Sequence, residues 1–416
     1  MQRDLLKARL SQLPHLPALD ADGEEEDDET EELDSFPPTL SRPPPTRRPR
    51  DQDRYSPISA EGYFADALEV DVASSTFRVY YTPPNLSSPS RSQSATPNPK
   101  DAMPDPTMYN GPATAPWARQ NPSAPESLSG KSGNGMVFVC VHGAGYSGLS
   151  FACFAKDAVG KGGGKVGVLA FDARGHGKTR VERTEGGPLD MSLETMSEDL
   201  VQLLKAMFPI KAEAPSVVLI GHSMGGAVVV DACPKLIDVV DVVGLSVLDV
   251  VEGTALDALQ GMNALISAQP KGFLSIEHGI EWHLRSKILN NPSSARLSVP
   301  PLLIAVDSPA SSSDPNTVIW RADLAATQPF WEGWFTGLSE KFLACRTAKL
   351  LLLAGADRLD TALMVGQMQV VVAAGKFQME VFTDDAPERT ANLLLSFWTR
   401  NDRTDILKGV KKVGQI

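Results

Sequence analysis

Gly221-His222-Ser223-Met224-Gly225 spells G-x-S-x-G directly after the apolar run Ser216-Val217-Val218-Leu219-Ile220, and the small residues Gly226 and Ala227 follow it. A buried strand, a sharp turn and a helix start are predicted in that order. Such a turn holds a serine hydroxyl clear of the backbone, and its glycines omit the Cβ atoms that would collide there. The chemistry this prepares is acyl transfer. Ser223 would attack a carbonyl, provided a base takes its proton and two N–H groups receive the oxyanion. An ordinary tight turn in another parallel sheet gives the same five residues, so the remaining groups decide.

The two donors can be placed. One is the backbone N–H of Met224, the residue after the serine. The other is expected at Ala144, in the loop His142-Gly143-Ala144-Gly145 that follows the apolar run Val137–Val141. His142 stands at the strand end before that loop and is expected to hold it, not to act as the base. Two acids stand at strand ends, Asp249 and Asp357; position alone favours Asp357, and either could be a helix cap or a turn residue. The histidine of a Ser, acid, His order belongs after the last strand, between Phe382 and Pro387. That loop reads Thr383-Asp384-Asp385-Ala386. The six histidines are His15, His142, His176, His222, His278 and His283, and none follows His283. The base is therefore not found in this sequence. His278 and His283 could approach Ser223 only through an unusual arrangement, and the His222 side chain is expected to point away.

The elements that must position these groups are legible as short apolar runs alternating with helical patterns. Strands are predicted at 69–72, 76–82, 137–141, 166–171, 216–221, 243–248, 349–354 and 377–382, with helices at 192–207, after Ser223, and at 387–398. Runs buried on both faces and separated by helices give a mostly parallel sheet covered on both sides. With the elbow, this is an α/β-hydrolase fold of about eight strands. Residues 252–340 break the rhythm and read as a helical lid, rich in aromatics: Trp282, Trp320, Phe330, Trp331, Trp334 and Phe335. Lid core and substrate wall both fit them. Residues 84–134, rich in Pro, Ser, Asn and Gly, read as a disordered insertion within a hydrolase domain spanning 54–403. Residues 404–416 read as a C-terminal tail.

The chain has 416 residues and a net charge of −12, which argues against nonspecific nucleic-acid binding. Much of that charge lies in Glu24–Asp34, inside a Pro-rich and acidic tail over 1–53 that reads as disordered. Its basic cluster Arg47-Arg48-Pro49-Arg50 could dock a partner, though a solvated tail is the simpler reading. The four cysteines, Cys140, Cys153, Cys233 and Cys345, are scattered and show no metal or disulfide spacing. A reducing setting, cytoplasmic or nuclear, is expected. The N-terminus lacks the apolar segment of a secretory signal, and no run is long enough to span a membrane. Gly160-Lys161-Gly162-Gly163-Gly164-Lys165 lacks the ending of a phosphate loop and reads as a helix-to-strand turn. No cofactor and no metal ligand cluster is expected.

Longer stretches carry a resemblance. His142-Gly143-Ala144-Gly145-Tyr146-Ser147-Gly148, Gly221 to Ala227, Asp249-Val250-Val251-Glu252-Gly253-Thr254-Ala255 and Ala354-Gly355-Ala356-Asp357-Arg358-Leu359-Asp360 resemble protein phosphatase methylesterases. So do Tyr55-Ser56-Pro57 and Trp331-Glu332-Gly333-Trp334-Phe335. The resemblance implies a serine carboxylesterase that removes the methyl ester from the C-terminal leucine of the protein phosphatase 2A catalytic subunit. It implies Ser223 as nucleophile and Asp249, not Asp357, as the triad acid. The chain departs from the family where a G-H-x-x-x-E-D-type segment carries the histidine, because Phe382 passes almost directly to Asp384. Val370–Ala374 is extra nearby, a pairing that shifted exon boundaries would leave. A phosphatase-binding protein without catalysis and an unrelated small-molecule esterase are the alternatives.

Overall fold

The computed structural model describes residues 54–86, 134–182, 188–306, 317–353, 377–381 and 386–401. The 1–53 and 404–416 tails, most of the 84–134 insertion, Asp357 and the loop expected to hold the base lie outside the described residues.

Strands β1 (Asp66–Val72), β2 (Ser75–Thr82), β3 (Met136–Val141), β4 (Val166–Phe171), β5 (Arg180–Val181), β6 (Ser216–His222) and β7 (Val242–Leu248) are followed by three short strands. These are β8 (Gly272–Phe273), β9 (Leu303–Ala305) and β10 (Val318–Trp320), and β11 (Ala348–Leu353) and β12 (Phe377–Val381) complete the set. The main sheet runs β1-β2-β4-β3-β6-β7-β11-β12, with β5 paired to β2. It is parallel from β4 to β12, and antiparallel only where β2 meets β1, β4 and β5. β6 therefore lies in the middle of the sheet between β3 and β7, and the loops after these three strands open at one end.

The core divides by side-chain alternation. Val137, Val139, Val141, Val217 and Leu219 face one side, under α2 (Leu193–Met207) and α3 (Met224–Ala232). Met136, Phe138, Cys140, Val218 and Ile220 face the other, under α1 (Ala152–Lys161) and α9 (Pro387–Asn401). α9 packs so closely that a Cβ at Gly244 would come within 2.8 Å of the Phe397 ring. Ser192 caps α2 by accepting the Thr195 N–H. The Gly160–Lys165 stretch is the turn it was read as: α1 ends at Lys161, and Gly163 and Gly164 take φ of +58° and +80° before β4.

The lid is not purely helical, as the sequence led us to expect. It contains α4 (Glu252–Ala268), α5 (Ile276–Arg285), α6 (Pro292–Ser298), α7 (Trp331–Phe335) and α8 (Leu338–Ala344), together with a three-stranded antiparallel sheet in the order β8-β10-β9. Strands this short carry no readable period. Phe273, Ile280, Trp282, Ala295, Val299, Leu303 and Val318 form a separate small core, on which Tyr55 packs. The Tyr55-Ser56-Pro57 stretch is tied to this unit, because the Arg296 guanidinium donates to the Ser56 carbonyl and the Ile58 N–H donates to the Arg296 carbonyl. Trp331 and Trp334 belong to the main core. Their indole N–H groups donate to Thr327 Oγ1 (2.8 Å) and to the Met191 carbonyl (2.7 Å). These lid aromatics are core, not substrate wall.

Candidate active site

Ser223 follows β6 and caps α3 with φ +50° and ψ −118°. That conformation is costly for any residue with a Cβ, on the order of 1–3 kcal/mol, and it persists only where the surroundings fix it. They do. A Cβ at Gly221 would strike the Gly225 carbonyl, and one at Gly225 would strike the Val141 carbonyl, so both positions must be glycine. The Ser223 N–H donates to the Leu248 carbonyl on β7 at 3.1 Å, and its own carbonyl receives Gly226 N–H at 2.8 Å to start the helix. Ser223 is half-buried, outside any regular helix turn. Among the described residues no side chain hydrogen-bonds its Oγ. Met224 occupies the first helical position, where an N–H has no carbonyl to reach.

Asp249 follows β7, the strand beside β6, and also has a positive φ of +51°. Its N–H donates to the Leu352 carbonyl of β11 at 2.7 Å, which fixes the turn at the same sheet end as Ser223. Asp357 lies outside the described residues.

The loop His142–Gly145 sits beside the elbow. His142 is fully buried, and its ring tautomer can be deduced. Ala173 N–H points at Nε2 (2.9 Å), so Nε2 must accept, and Nδ1–H must donate to the Gly143 carbonyl (2.7 Å). His176, on the loop after β4, is fixed likewise. Its Nε2 accepts the Gly145 N–H (2.9 Å) and its Nδ1–H donates to the Arg174 carbonyl (2.9 Å). Both ring nitrogens of both histidines are committed, so neither is a base for Ser223. His283 is buried on α5 between Trp282 and Trp320, with Nδ1–H donating to the Gly279 carbonyl at 2.7 Å. His278 shares that helix and stacks edge-on to Phe273. His222 packs edge-on to Tyr146, ring centroids 6.0 Å apart. The structure thus brings Ser223, Met224, Ala144 and Asp249 to one end of the sheet, and among the described residues no histidine bonds the Ser223 Oγ.

Two contributions went unread in the sequence. Glu252, in the run after Asp249, accepts the N–H groups of Gly337 (2.8 Å) and Ser339 (2.9 Å) and so ties that run to α8. His176 is the other; its glycine-flanked position at a strand end was the available signal. Its loop is anchored through Arg174, which makes a two-pronged ion pair with Asp199 (2.5 and 2.7 Å) and donates to the Asp190 carbonyl. These side chains are only 10% and 13% exposed. Breaking such a pair leaves a charge poorly compensated, so Asp199→Ala is expected to cost about 3 kcal/mol. A urea midpoint equal to that of the unchanged protein would show that the pair does not hold the loop.

Burial shapes the titration of the site. It pushes His142 down to about 3, helped by the neighbouring His176 and opposed by the bond to Gly143. It pushes His283 down to about 4, and it lowers His176. The unfolded chain takes up these protons near pH 6.5, whereas the fold does not. The stability is therefore whole above about pH 7, is lost as pH falls below 6.5, and levels off only near the folded values. At pH 5 the loss is about 2 kcal/mol for each of His142 and His283. Urea midpoints at pH 8, 6.5 and 5 are expected to fall in that order; a constant midpoint would contradict the burial argument.

Comparison with known proteins places this geometry. The alpha/beta hydrolase family model matches residues 138–393. The crystal structure of E-2-(acetamidomethylene)succinate hydrolase superposes with a TM-score of 0.50 at 17% identity, covering 80% of this chain and 99% of that one, which shows the fold. Protein phosphatase methylesterase 1 of Cryptococcus neoformans is 41% identical over 422 residues, covering 96% of this chain and 93% of the relative. The enzyme of that name from Aspergillus fumigatus is 47% identical over 291 residues, covering 67% of each chain. That from Yarrowia lipolytica is 38% identical over 375 residues, covering 85% of this chain and 75% of the relative.

The chain belongs to the protein phosphatase methylesterase family.

As a member of this family of α/β hydrolases it is a carboxylic ester hydrolase. Asp249 follows the strand beside that of Ser223 with a positive φ, and Asp357 lies outside the described residues. Among the described residues no three His, Cys, Asp or Glu side chains are grouped to hold a metal ion, and no helix is long and apolar enough to cross a membrane.

Proposed function

We propose that the chain removes the methyl ester from the C-terminal leucine of the protein phosphatase 2A catalytic subunit. The observation that carries this reading is the backbone of Ser223, held at φ +50° and ψ −118° where β6 turns into α3. Ser223 Oγ attacks the ester carbonyl, and the oxyanion is received by the N–H groups of Met224 and Ala144. The C–O bond to the methoxy group breaks, methanol leaves, and water then releases the leucine carboxylate from the serine ester. The serine proton must pass to a base and on to the departing methoxide; no histidine after His283 supplies that base in this sequence, and where one is present Asp249 would orient it and offset its positive charge. Support for the substrate class, a protein phosphatase methyl ester, comes from the family to which the chain belongs; the C-terminal leucine of the catalytic subunit is what the family resemblance implies.

A second reading, a protein that clasps the phosphatase without turnover, draws on one observation: no histidine follows His283. Prolonged incubation with carboxymethylated catalytic subunit, followed by mass analysis of its C-terminal peptide, separates the two. Loss of the methyl group from the leucine supports the esterase. Stable binding with the methyl group retained would replace it by the second reading.

A further inference from the structure

The loop after β3 carries two consecutive N–H groups, those of Ala144 and Gly145, and the second is spent on His176 Nε2 at 2.9 Å. We propose that His176 is a positioning residue of the oxyanion hole: by accepting the Gly145 N–H it withdraws that donor and leaves the Ala144 N–H to face the reacting carbonyl. This rests on the reading of Ser223 as the acyl acceptor.

The geometry is reciprocal. The loop after β3 sends its histidine, His142, to the Ala173 N–H, and the loop after β4 sends its histidine, His176, to the Gly145 N–H; both distances are 2.9 Å and the rings lie edge to face with centroids 5.1 Å apart. The two loops are therefore latched by a matched exchange of backbone donors for imidazole acceptors. The His176 tautomer is set by its Nδ1–H bond to the Arg174 carbonyl, and Arg174 is itself clamped by Asp199. Gly145 is held from the far side as well: its φ is +80°, and an added Cβ would come within 3.0 Å of Leu324 Cδ1 from the lid. Ala144, between these fixed points, is half-buried, and among the described residues its N–H has no acceptor.

The test compares the full chain with His176→Phe, His176→Asn and His176→Gln. Phe removes the acceptor, Asn is too short to reach Gly145, and Gln can return an oxygen to the Nε2 position. The first readout is amide hydrogen exchange of Gly145, which needs no turnover. It is expected to quicken in the Phe and Asn variants and to stay slow in the Gln variant. The second is hydrolysis of an activated acetate ester, where the oxyanion hole contributes even without a complete triad. Loss of a well-placed donor typically costs about 10²–10³-fold, so kcat is expected to fall about 10²-fold in the Phe and Asn variants with KM unchanged. Gln is expected to recover most of it. If Phe does not fold, Asn carries the comparison. Unchanged Gly145 exchange and kcat in these variants would overturn the proposal, as would a Gln variant no better than Phe. Ser223→Ala is compared in a chain given a Gly-His segment between Phe382 and Asp384: Ser223-independent hydrolysis there would sink the functional reading, while the exchange result still judges the latch.

Discussion

Inserting a Gly-His segment of the family's type between Phe382 and Asp384 is expected to raise ester turnover about 10³-fold or more. The expectation follows from what is in place and what is not. The strained elbow at Ser223, the free N–H of Met224, the latched loop at Ala144 and Asp249, the proposed acid, all lie at one end of the sheet. The histidines that could be mistaken for the base are spoken for: His142 and His176 have both ring nitrogens bonded, and His283 is buried between two indoles. Loss of one triad member typically forfeits several orders of magnitude and leaves about 10³–10⁴ over water from the oxyanion hole and binding. Restoring the base to an otherwise complete site recovers that loss. The check is kcat/KM on an activated ester before and after insertion. An inserted histidine that changes nothing, in a folded protein, would mean that the base is already supplied elsewhere.

Ser223→Ala has an expected effect that depends on that histidine, and the dependence is the sharper prediction. Triad members act as a unit, so removing a second one after the first is lost costs little. In the histidine-restored chain, Ser223→Ala is expected to reduce kcat by about 10³-fold or more, back to the level of the site without a base. In the chain as it stands the same substitution is expected to cost far less, because the oxyanion donors remain. The double-mutant cycle is read from four kcat values. Equal effects in both backgrounds would show that Ser223 and the inserted histidine do not share a step. The Ser223→Ala protein is expected to remain folded, and relief of the positive φ is available only to glycine, so no stability gain comes with it.

Much of the scaffold was legible in the chain because β3, β4, β6, β7 and β11 are buried on both faces and read as unbroken apolar runs, each bounded within a residue or two of its observed limits. The elbow was legible because its glycines are demanded by backbone collisions and not by side-chain packing. The lid sheet was not, since β8, β9 and β10 are two or three residues long and their pairing is set by residues far apart in sequence. The choice of acid also escaped position: Asp249 and Asp357 both end apolar runs, and it is the family resemblance that favours Asp249. His176 read as part of a glycine turn because its partner, the Gly145 N–H, belongs to another loop. Glu252 was hidden for the same reason, with its acceptor role completed by Gly337 and Ser339 in the lid. What the sequence conceals in each case is a polar bond across two loops, where no periodicity exists to be read.

The most direct test is methanol release from carboxymethylated protein phosphatase 2A catalytic subunit by the histidine-restored chain and by its Ser223→Ala counterpart. Catalytic release by the first and background release by the second is the predicted result. Equal release by both would contradict a serine-centred esterase on this elbow.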